Sequence, residues 1–411
     1  MTTMLEQYVP IVGASVIDEL QELARQLKGR PIVMINSTKS GGGVAEILHR
    51  MIPMFAELGV SVRWEIIEGV DAYYRVTKAF HNALHGRAEM FTQDMFDLFL
   101  ETGRARMAQL ALTDELMFIH DPQPITLIES RERFPRTHWI WRCHIDVSSP
   151  APIVWRFLQP FILKYDTAIY SASAFVQRLG MRQVLIPPSI DPLSAKNMDL
   201  APEKVQEILK VLGIPTDKPI LTQVSRFDYL KDPVGVIDAY RRVRRSHRCR
   251  LVLAGGGAND DPEGAEVLAL VQAEAASDPD IHVLLLPPNS DIEINALQRA
   301  SAVVIQKSLK EGFALTVSEA LWKGRPVVAS AVGGIPLQVK HGLTGMLVQS
   351  VESCAEAIKY LLDHPEEADR MGEQGREHVR RNFLLTRHVR EYLMACLAVG
   401  RSEPISFGSQ E

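Results

Sequence analysis

The residues of clearest chemical interest are Glu311, Gly312, Phe313, Ala314, Leu315, Thr316 and Glu319, which lead from an apolar run, Ala302 to Gln306, into a helical pattern from about Thr316 to Trp322. Gly312 permits an unusual turn, and the amides from about Ala314 to Thr316 form a helix amino end suited to a phosphate or a sugar hydroxyl. Glu311 before the turn and Glu319 in the first helical turns can face one ligand and accept hydrogen bonds from hydroxyls. The alternative is a capping glutamate and a solvated one. Upstream, Ser225 to Lys231 follows the apolar run Ile220 to Val224 and carries two cations five positions apart. Arg226 offers a planar fork and Lys231 a point charge, together able to clamp a diphosphate, although loop cations are also often simply solvated.

The first half holds three further candidates. Asn36 to Glu46 leaves the run Pro31 to Asn36 and places Gly41, Gly42 and Gly43 ahead of a helical pattern that includes Glu46. Such glycines let backbone approach a ligand, or serve only a tight turn; their spacing matches neither the dinucleotide fingerprint nor the Walker phosphate loop. His144 and Asp146 stand two apart on a segment expected to be extended, where they point the same way as a sugar-binding pair or as a structural one. His120-Asp121-Pro122-Gln123-Pro124 follows the strand Leu116 to Ile119, with Asp121 or Gln123 available to a hydroxyl. Asp278 and Asp280 precede their strand, Ile281 to Leu286, so they sit at the wrong end of a sheet for a nucleotide-bound metal. Metal-independent chemistry is expected, with Arg226, Lys231 and a helix dipole neutralising charge. No Gly-x-Ser-x-Gly elbow supplies a hydrolase nucleophile. Gly255 to Gly257, after a strand, reads as a turn near the ligand in preference to a second phosphate cradle.

The elements that position these residues alternate between short apolar runs and helical periods. An amphipathic helix over Ser15 to Leu27, a strand to Asn36, a helix over Val44 to Leu58 and a strand over Val60 to Ile67 make one unit. A related layout recurs from Pro219: a strand over Ile220 to Val224, a helix over Val234 to Arg244 and a strand over Leu251 to Ala254. Strands at Ile281 to Leu286, Ala302 to Gln306 and Pro326 to Ala331 continue it. This pattern predicts an α/β chain with two parallel-sheet domains in tandem, ligands lying at the strands' carboxyl ends. The expected boundaries are 1–215 and 216–385, with the proline-rich stretch Ile186 to Pro219 as the join. Helices over Glu366 to Phe383 and Arg387 to Leu397 close the chain; residues 386–411 are expected to form a helix packing back on the first domain and then a frayed tail, Ser402 to Glu411.

Composition narrows the function classes. The 411 residues carry 45 Lys and Arg against 50 Asp and Glu, a net charge of −5, with 46% hydrophobic and 23% charged residues. An acidic balance disfavours nucleic acid or anionic lipid as the main partner. The four cysteines lie at least 42 positions apart, without zinc or redox spacing, and read as reduced core thiols. Met1 to Pro10 lacks a signal-peptide layout and no run approaches a membrane span, so a cytoplasmic enzyme is expected.

Taken jointly, Arg226, Lys231, Glu311-Gly312-Phe313 and Glu319 resemble the retaining glycosyltransferases of family 4, with the GT-B fold: two Rossmann-like parallel-sheet domains facing across a cleft. Asn36-Ser37-Thr38, Gly41 to Leu48, His120 to Pro124, Trp141 to Asp146, Pro187 to Pro192 and Asp260 to Gly264 are more closely similar to the trehalose glycosyltransferring synthases, over about residues 15 to 397. The resemblance implies glucose transfer from a nucleoside diphosphate glucose, ADP- or UDP-glucose, to the anomeric hydroxyl of glucose, reversibly giving α,α-trehalose without a cofactor. It implies that Arg226 and Lys231 hold the diphosphate and Glu319 the ribose, and that Glu311 with the Gly312 to Leu315 backbone holds the donor glucose. His144 would contact the donor sugar, and Gly42 and Gly43 would close on the diphosphate or acceptor. Glu46, Asp121, Gln123 and Asp146 are acceptor candidates. Ala314 departs from the glycine usual there. The alternatives are a retaining trehalose phosphorylase and a non-catalytic nucleotide-sugar sensor. Nucleic acid and membrane partners are not expected; a homodimer is.

Overall fold

A computed structural model describes residues 3–27, 29–39, 42–110, 116–256 and 262–399. Gly41, Gly257, Asp260, Asp261 and the tail from Ser402 lie outside the described residues. The chain divides into two compact units, Met1–Pro187 with Leu385–Glu411, and Pro188–Leu384.

The first unit opens with α1 (Met4–Val12), capped reciprocally by Thr3 and Glu6, then α2 (Ala14–Gln26). There follow β1 (Ile32–Asn36), α3 (Gly42–Glu57), β2 (Val62–Ile66), α4 (Asp71–Leu84), α5 (Gln93–Met107), β3 (Leu116–His120), β4 (His138–Arg142), α6 (Pro152–Ile162), β5 (Thr167–Tyr170) and β6 (Arg182–Leu185). Every strand pair is parallel, in the order β2-β1-β3-β4-β5-β6. Strands β1 and β3 are buried along their whole length, which their unbroken apolar runs require of a sheet covered on both faces.

The second unit contains α7 (Pro202–Val211), β7 (Ile220–Val224), α8 (Pro233–Arg244), β8 (Arg250–Gly256), α9 (Pro262–Ala275), β9 (Ile281–Leu286), α10 (Asp291–Ala300), β10 (Ser301–Gln306), α11 (Leu315–Trp322), β11 (Val327–Ser330), α12 (Ile335–Gln338), β12 (Met346–Val348), α13 (Val351–Asp363) and α14 (Pro365–Asn382). Its parallel order is β12-β11-β10-β7-β8-β9. Alternation along β8 builds two cores: Leu251 and Leu253 face one with Val236, Tyr240 and Ile358, while Val252 and Ala254 face the other with Val205, Leu209 and Leu297.

The last helix, α15 (Leu385–Ala398), completes the first unit. Tyr392 stacks on Phe118 of β3 with ring centroids 5.1 Å apart, and Arg30 and Arg182 donate to the carbonyls of Cys396 and Ala398. The division differs from the expected join near residue 215. Residues 188–215 belong to the second unit, because Val205, Ile208, Leu209 and Ile214 pack on Ala296 and Leu297 of α10. The chain enters and leaves this unit side by side: the Ile190 amide donates to the Phe383 carbonyl at 2.9 Å. All four cysteines are buried and unbridged. No helix among the described residues is long and apolar enough to cross a membrane.

Candidate active site

In open parallel sheets the ligand crevice lies where strand order reverses, outside the strands' carboxyl ends. In the second unit that point falls between β7 and β10, and both cationic and glutamate motifs emerge there. After β7, Ser225–Asp228 leads to a 3-10 turn at Tyr229–Lys231, started by Asp228 accepting from the Leu230 amide. Asp232 then adopts φ +48° and caps α8 by accepting from the Gly235 amide at 3.1 Å. After β10, Lys307 to Ala314 loops back, and the Leu309 amide donates to the Leu230 carbonyl at 2.8 Å, which ties the two loops together.

Two ion pairs span the same point in opposite senses. Lys231 Nζ lies 2.5 Å from Glu311 Oε2, which also accepts from Ser308 Oγ at 3.2 Å, and Lys307 pairs with Asp232. Lys231, Glu311 and Lys307 are largely buried, whereas the Arg226 side chain keeps 44% exposure and lies 3.6 Å from Asp228. Both expected diphosphate cations therefore stand on one loop, with Arg226 the more available.

Past Glu311 the chain must turn tightly. A Cβ on Gly333, itself at φ +56°, would sit 1.6 Å from the Glu311 carbonyl oxygen, so only glycine lets the loop after β11 back this turn. Phe313 is buried against Phe383 and its carbonyl accepts from Gln338, so both its ring and its carbonyl are committed to the fold. Ala314 sits at φ +68°, ψ +78° and starts α11 without a side-chain cap, leaving the Leu315 and Thr316 amides at an uncapped helix start. Thr316 Oγ1 donates to Gln306. Glu319 is 1% exposed, with Lys196 Nζ 3.9 Å from Oε1 and Gln298 Nε2 3.5 Å from Oε2. The two glutamates are thus held by different cations, Lys231 and Lys196; nothing in local sequence signals Lys196, 123 positions before Glu319.

In the first unit the order reverses between β1 and β3. Gly42, at φ +78°, and Gly43, both exposed, begin α3 beyond the carboxyl end of β1, with Glu46 in its first turns. Asn36 closes the strand, donating to the Thr38 carbonyl and accepting from Trp64 Nε1. At the end of β3, Asp121 takes φ +64° and accepts from the His144 amide at 2.7 Å. Burial raises the Asp121 carboxyl to about 6, against the lowering effects of that amide and of Arg142. Gln123 Oε1 is buried without a hydrogen bond, while its carbonyl accepts from Tyr73.

The expected His144 and Asp146 pair is not what forms. Strand β4 ends at Arg142, so both residues lie in the loop beyond it. Asp146 turns back onto the Ser148 amide at 2.9 Å, and the partner of His144 is His120, whose Nδ1 lies 3.0 Å from His144 Nε2. Arg142, fully buried, donates to the Cys143 and Ile186 carbonyls and to Ser171. Burial, then this guanidinium, push His120 down to about 3 and His144 well below the ordinary imidazole range.

The acidic pair before β9 stands at the amino end of the sheet, as read from sequence: Asp280 pairs with Lys218 and Arg250, and Asp278 with Arg244. Among the described residues no group of three or more His, Cys, Asp or Glu is placed to hold a metal ion.

Comparison with known proteins matches residues 34–177 to the trehalose synthase N-terminal domain and 204–378 to the glycosyl transferases group 1. The trehalose synthase of Pyrococcus horikoshii is 44% identical over 95% of this chain and 95% of its own. The chain belongs to the trehalose synthase family. It is a glycosyltransferase, and the two Rossmann-like parallel-sheet units are those of the GT-B fold. A solved α,α-trehalose-phosphate synthase (UDP-forming) from Burkholderia xenovorans, 16% identical, superposes with a TM-score of 0.75 over 89% of this chain and 99% of that one. A more distant relative, the trehalose phosphorylase of Pleurotus pulmonarius, is 31% identical over 98% of this chain and 62% of its own.

Proposed function

We propose that this member of the trehalose synthase family moves glucose from a nucleoside diphosphate glucose, ADP- or UDP-glucose, to the anomeric hydroxyl of free glucose, giving α,α-trehalose and a nucleoside diphosphate. The observation that carries the reading is the meeting of Arg226, Lys231 and Glu311 with the uncapped start of α11 at the β7/β10 switch point. Cations and amides fixed there oppose the charge that grows on a departing diphosphate, and no metal is required of them. Glu319 serves the ribose, Glu311 and the turn before α11 the donor glucose, and His144 a donor-sugar hydroxyl. Gly42, Gly43, Glu46, Asp121 and Gln123 are left for the diphosphate or the acceptor.

The donor C1–O bond to phosphate breaks and a C1–O bond to the acceptor forms on the same face. The acceptor's proton passes to the departing phosphate oxygen, so configuration is retained without an enzyme nucleophile. The test is an acceptor and donor screen read by NMR: glucose with ADP-, UDP- or GDP-glucose should yield α,α-trehalose, and EDTA should leave the rate intact. A β-linked product would refute retention, and no disaccharide from any donor would refute the activity.

The relation to a trehalose phosphorylase favours a second reading, in which inorganic phosphate occupies the same cations. Trehalose incubated with phosphate would then give glucose 1-phosphate, while with a nucleoside diphosphate it would give none of the nucleotide sugar. The reading also keeps a cytoplasmic homodimer, to be checked by cell fractionation and by sedimentation.

A further inference from the structure

We propose that His120 is a positioning residue that locks His144 in its Nδ1–H tautomer, so that the His144 ring meets a ligand only as a hydrogen-bond donor. The two rings lie 16° from parallel with centroids 5.3 Å apart, and one nitrogen of each is spent on the 3.0 Å contact between them. A neutral imidazole carries one N–H and one lone pair, so the hydrogen in that contact belongs either to His120 Nδ1 or to His144 Nε2.

The far side of His120 decides which. Its Nε2 is buried and makes no hydrogen bond. Were His144 the donor, His120 would have to carry its own hydrogen on Nε2, leaving a bare N–H in the core. Were His120 the donor, Nε2 would be a bare lone pair. Orphaned buried donors are rarer than under-satisfied acceptors, so the bare lone pair is the favoured arrangement. His120 is therefore Nδ1–H, and His144 Nε2 accepts from it.

Two features hold His144 in this relation. Parallel register sets His120, the last residue of β3, beside Arg142, the last of β4, so His120 meets His144 two residues past the end of β4. Asp121, in its left-handed conformation, grips the His144 amide. Protonation of the dyad is opposed by burial and then by Arg142, with His120 and His388 of α15 contributing further to the lowering of His144; the carboxyls nearby are Asp121, on which Arg142 has a lowering effect, and Asp146. His144 is left with Nδ1–H as its only free polar edge. It can donate to a hydroxyl or a developing oxyanion and cannot act as a general base, because its lone pair is already in use.

The functional consequence rests on the reading of His144 as a sugar contact; the tautomer does not. Ring 15N long-range correlation spectra of ligand-free, histidine-labelled protein at neutral pH, assigned by single replacements, should show Nδ1–H patterns for both His120 and His144. An Nε2–H pattern at His144 overturns the proposal. In His120→Leu the His144 pattern should shift toward Nε2–H and kcat/KM for the donor should fall about tenfold, while His120→Asn, whose amide can place a donor near Nδ1, should recover most of that loss. A His120→Leu variant that keeps the Nδ1–H pattern and the wild-type kcat/KM also overturns it. Should wild type show both Nδ1–H patterns while His144→Ala keeps its donor KM and kcat, the lock stands and the sugar reading falls.

Discussion

Acidification from pH 7 to pH 5 is expected to destabilise the first unit of wild type by about 2 kcal/mol more than it destabilises His120→Asn. The folded pKa of His120 is depressed to about 3, first by burial and then by Arg142. Folded protein therefore keeps this ring neutral across the interval, while in the unfolded chain it takes up a proton below about 6.5. A depressed imidazole contributes stability that is present above the unfolded pKa and is lost as pH falls toward the folded one. At pH 5 the unfolded ring is about 1.5 pH units below its pKa, and about 1.36 kcal/mol per unit gives about 2 kcal/mol. Asp121 acts in the opposite sense. With its folded pKa raised to about 6, it takes a proton in the folded state first and returns about 1.4 kcal/mol by pH 5. His144 and His388, both held low by burial with Arg142 also opposing their protonation, add to the loss. Asparagine does not titrate, so the difference between wild type and variant isolates His120. Urea unfolding followed by tryptophan fluorescence suits the test, because Trp64, Trp139, Trp141 and Trp155 lie in the first unit and only Trp322 in the second. Equal losses in the two proteins would mean that the folded ring titrates normally, and would refute the reasoning.

Arg226→Ala should lower turnover about 100- to 1000-fold with an unchanged circular dichroism spectrum, since on the proposed function this half-exposed guanidinium is a donor to the leaving diphosphate. Lys231→Met should cost about 3 kcal/mol of stability in urea by leaving Glu311 buried without its cation, and adding Glu311→Gln should recover part of it. Gly333→Ala should abolish measurable transfer, because its Cβ would collide with the Glu311 carbonyl; kinetics beside a melting curve separate loss of site from loss of fold. Ala314→Gly should raise stability by about 0.5–1 kcal/mol, read from the urea midpoint, by relieving a left-handed alanine.

Much of this architecture was legible because buried parallel strands leave unbroken apolar runs. The run from Ile281 to Leu286 is a strand over those residues, and glycine, proline and charged clusters fall at the strand ends where the loops are. Helix α5 and the half-buried β6 give no clean period, whereas Tyr73, Val76, Phe80 and Ala83 of α4 and Val154, Leu158 and Ile162 of α6 do recur at helical spacing, a pattern that sequence reasoning missed. The site was legible as motifs and illegible as pairs. Lys231 meets Glu311 across 80 positions and His120 meets His144 across 24, contacts set by strand order and register rather than by local spacing. The expected pairing of His144 with Asp146 assumed an extended segment, whereas the chain loops after Arg142 and Asp146 accepts from the Ser148 amide. The misplaced join came from reading prolines as a linker when α7 is anchored by its apolar face.

The crossed pairs at the β7/β10 switch point make the second unit's site electrically self-sealed, each loop lending the other one cation and one anion. A diphosphate docking there would carry out an exchange of counterions: it would take Lys231 from Glu311 rather than meet a bare charge, and binding strength would be the difference between two pairings. On the function proposed above, that exchange would free the Glu311 carboxylate for sugar hydroxyls as the phosphate is seated, and re-forming the Lys231–Glu311 pair would favour departure of the spent nucleotide.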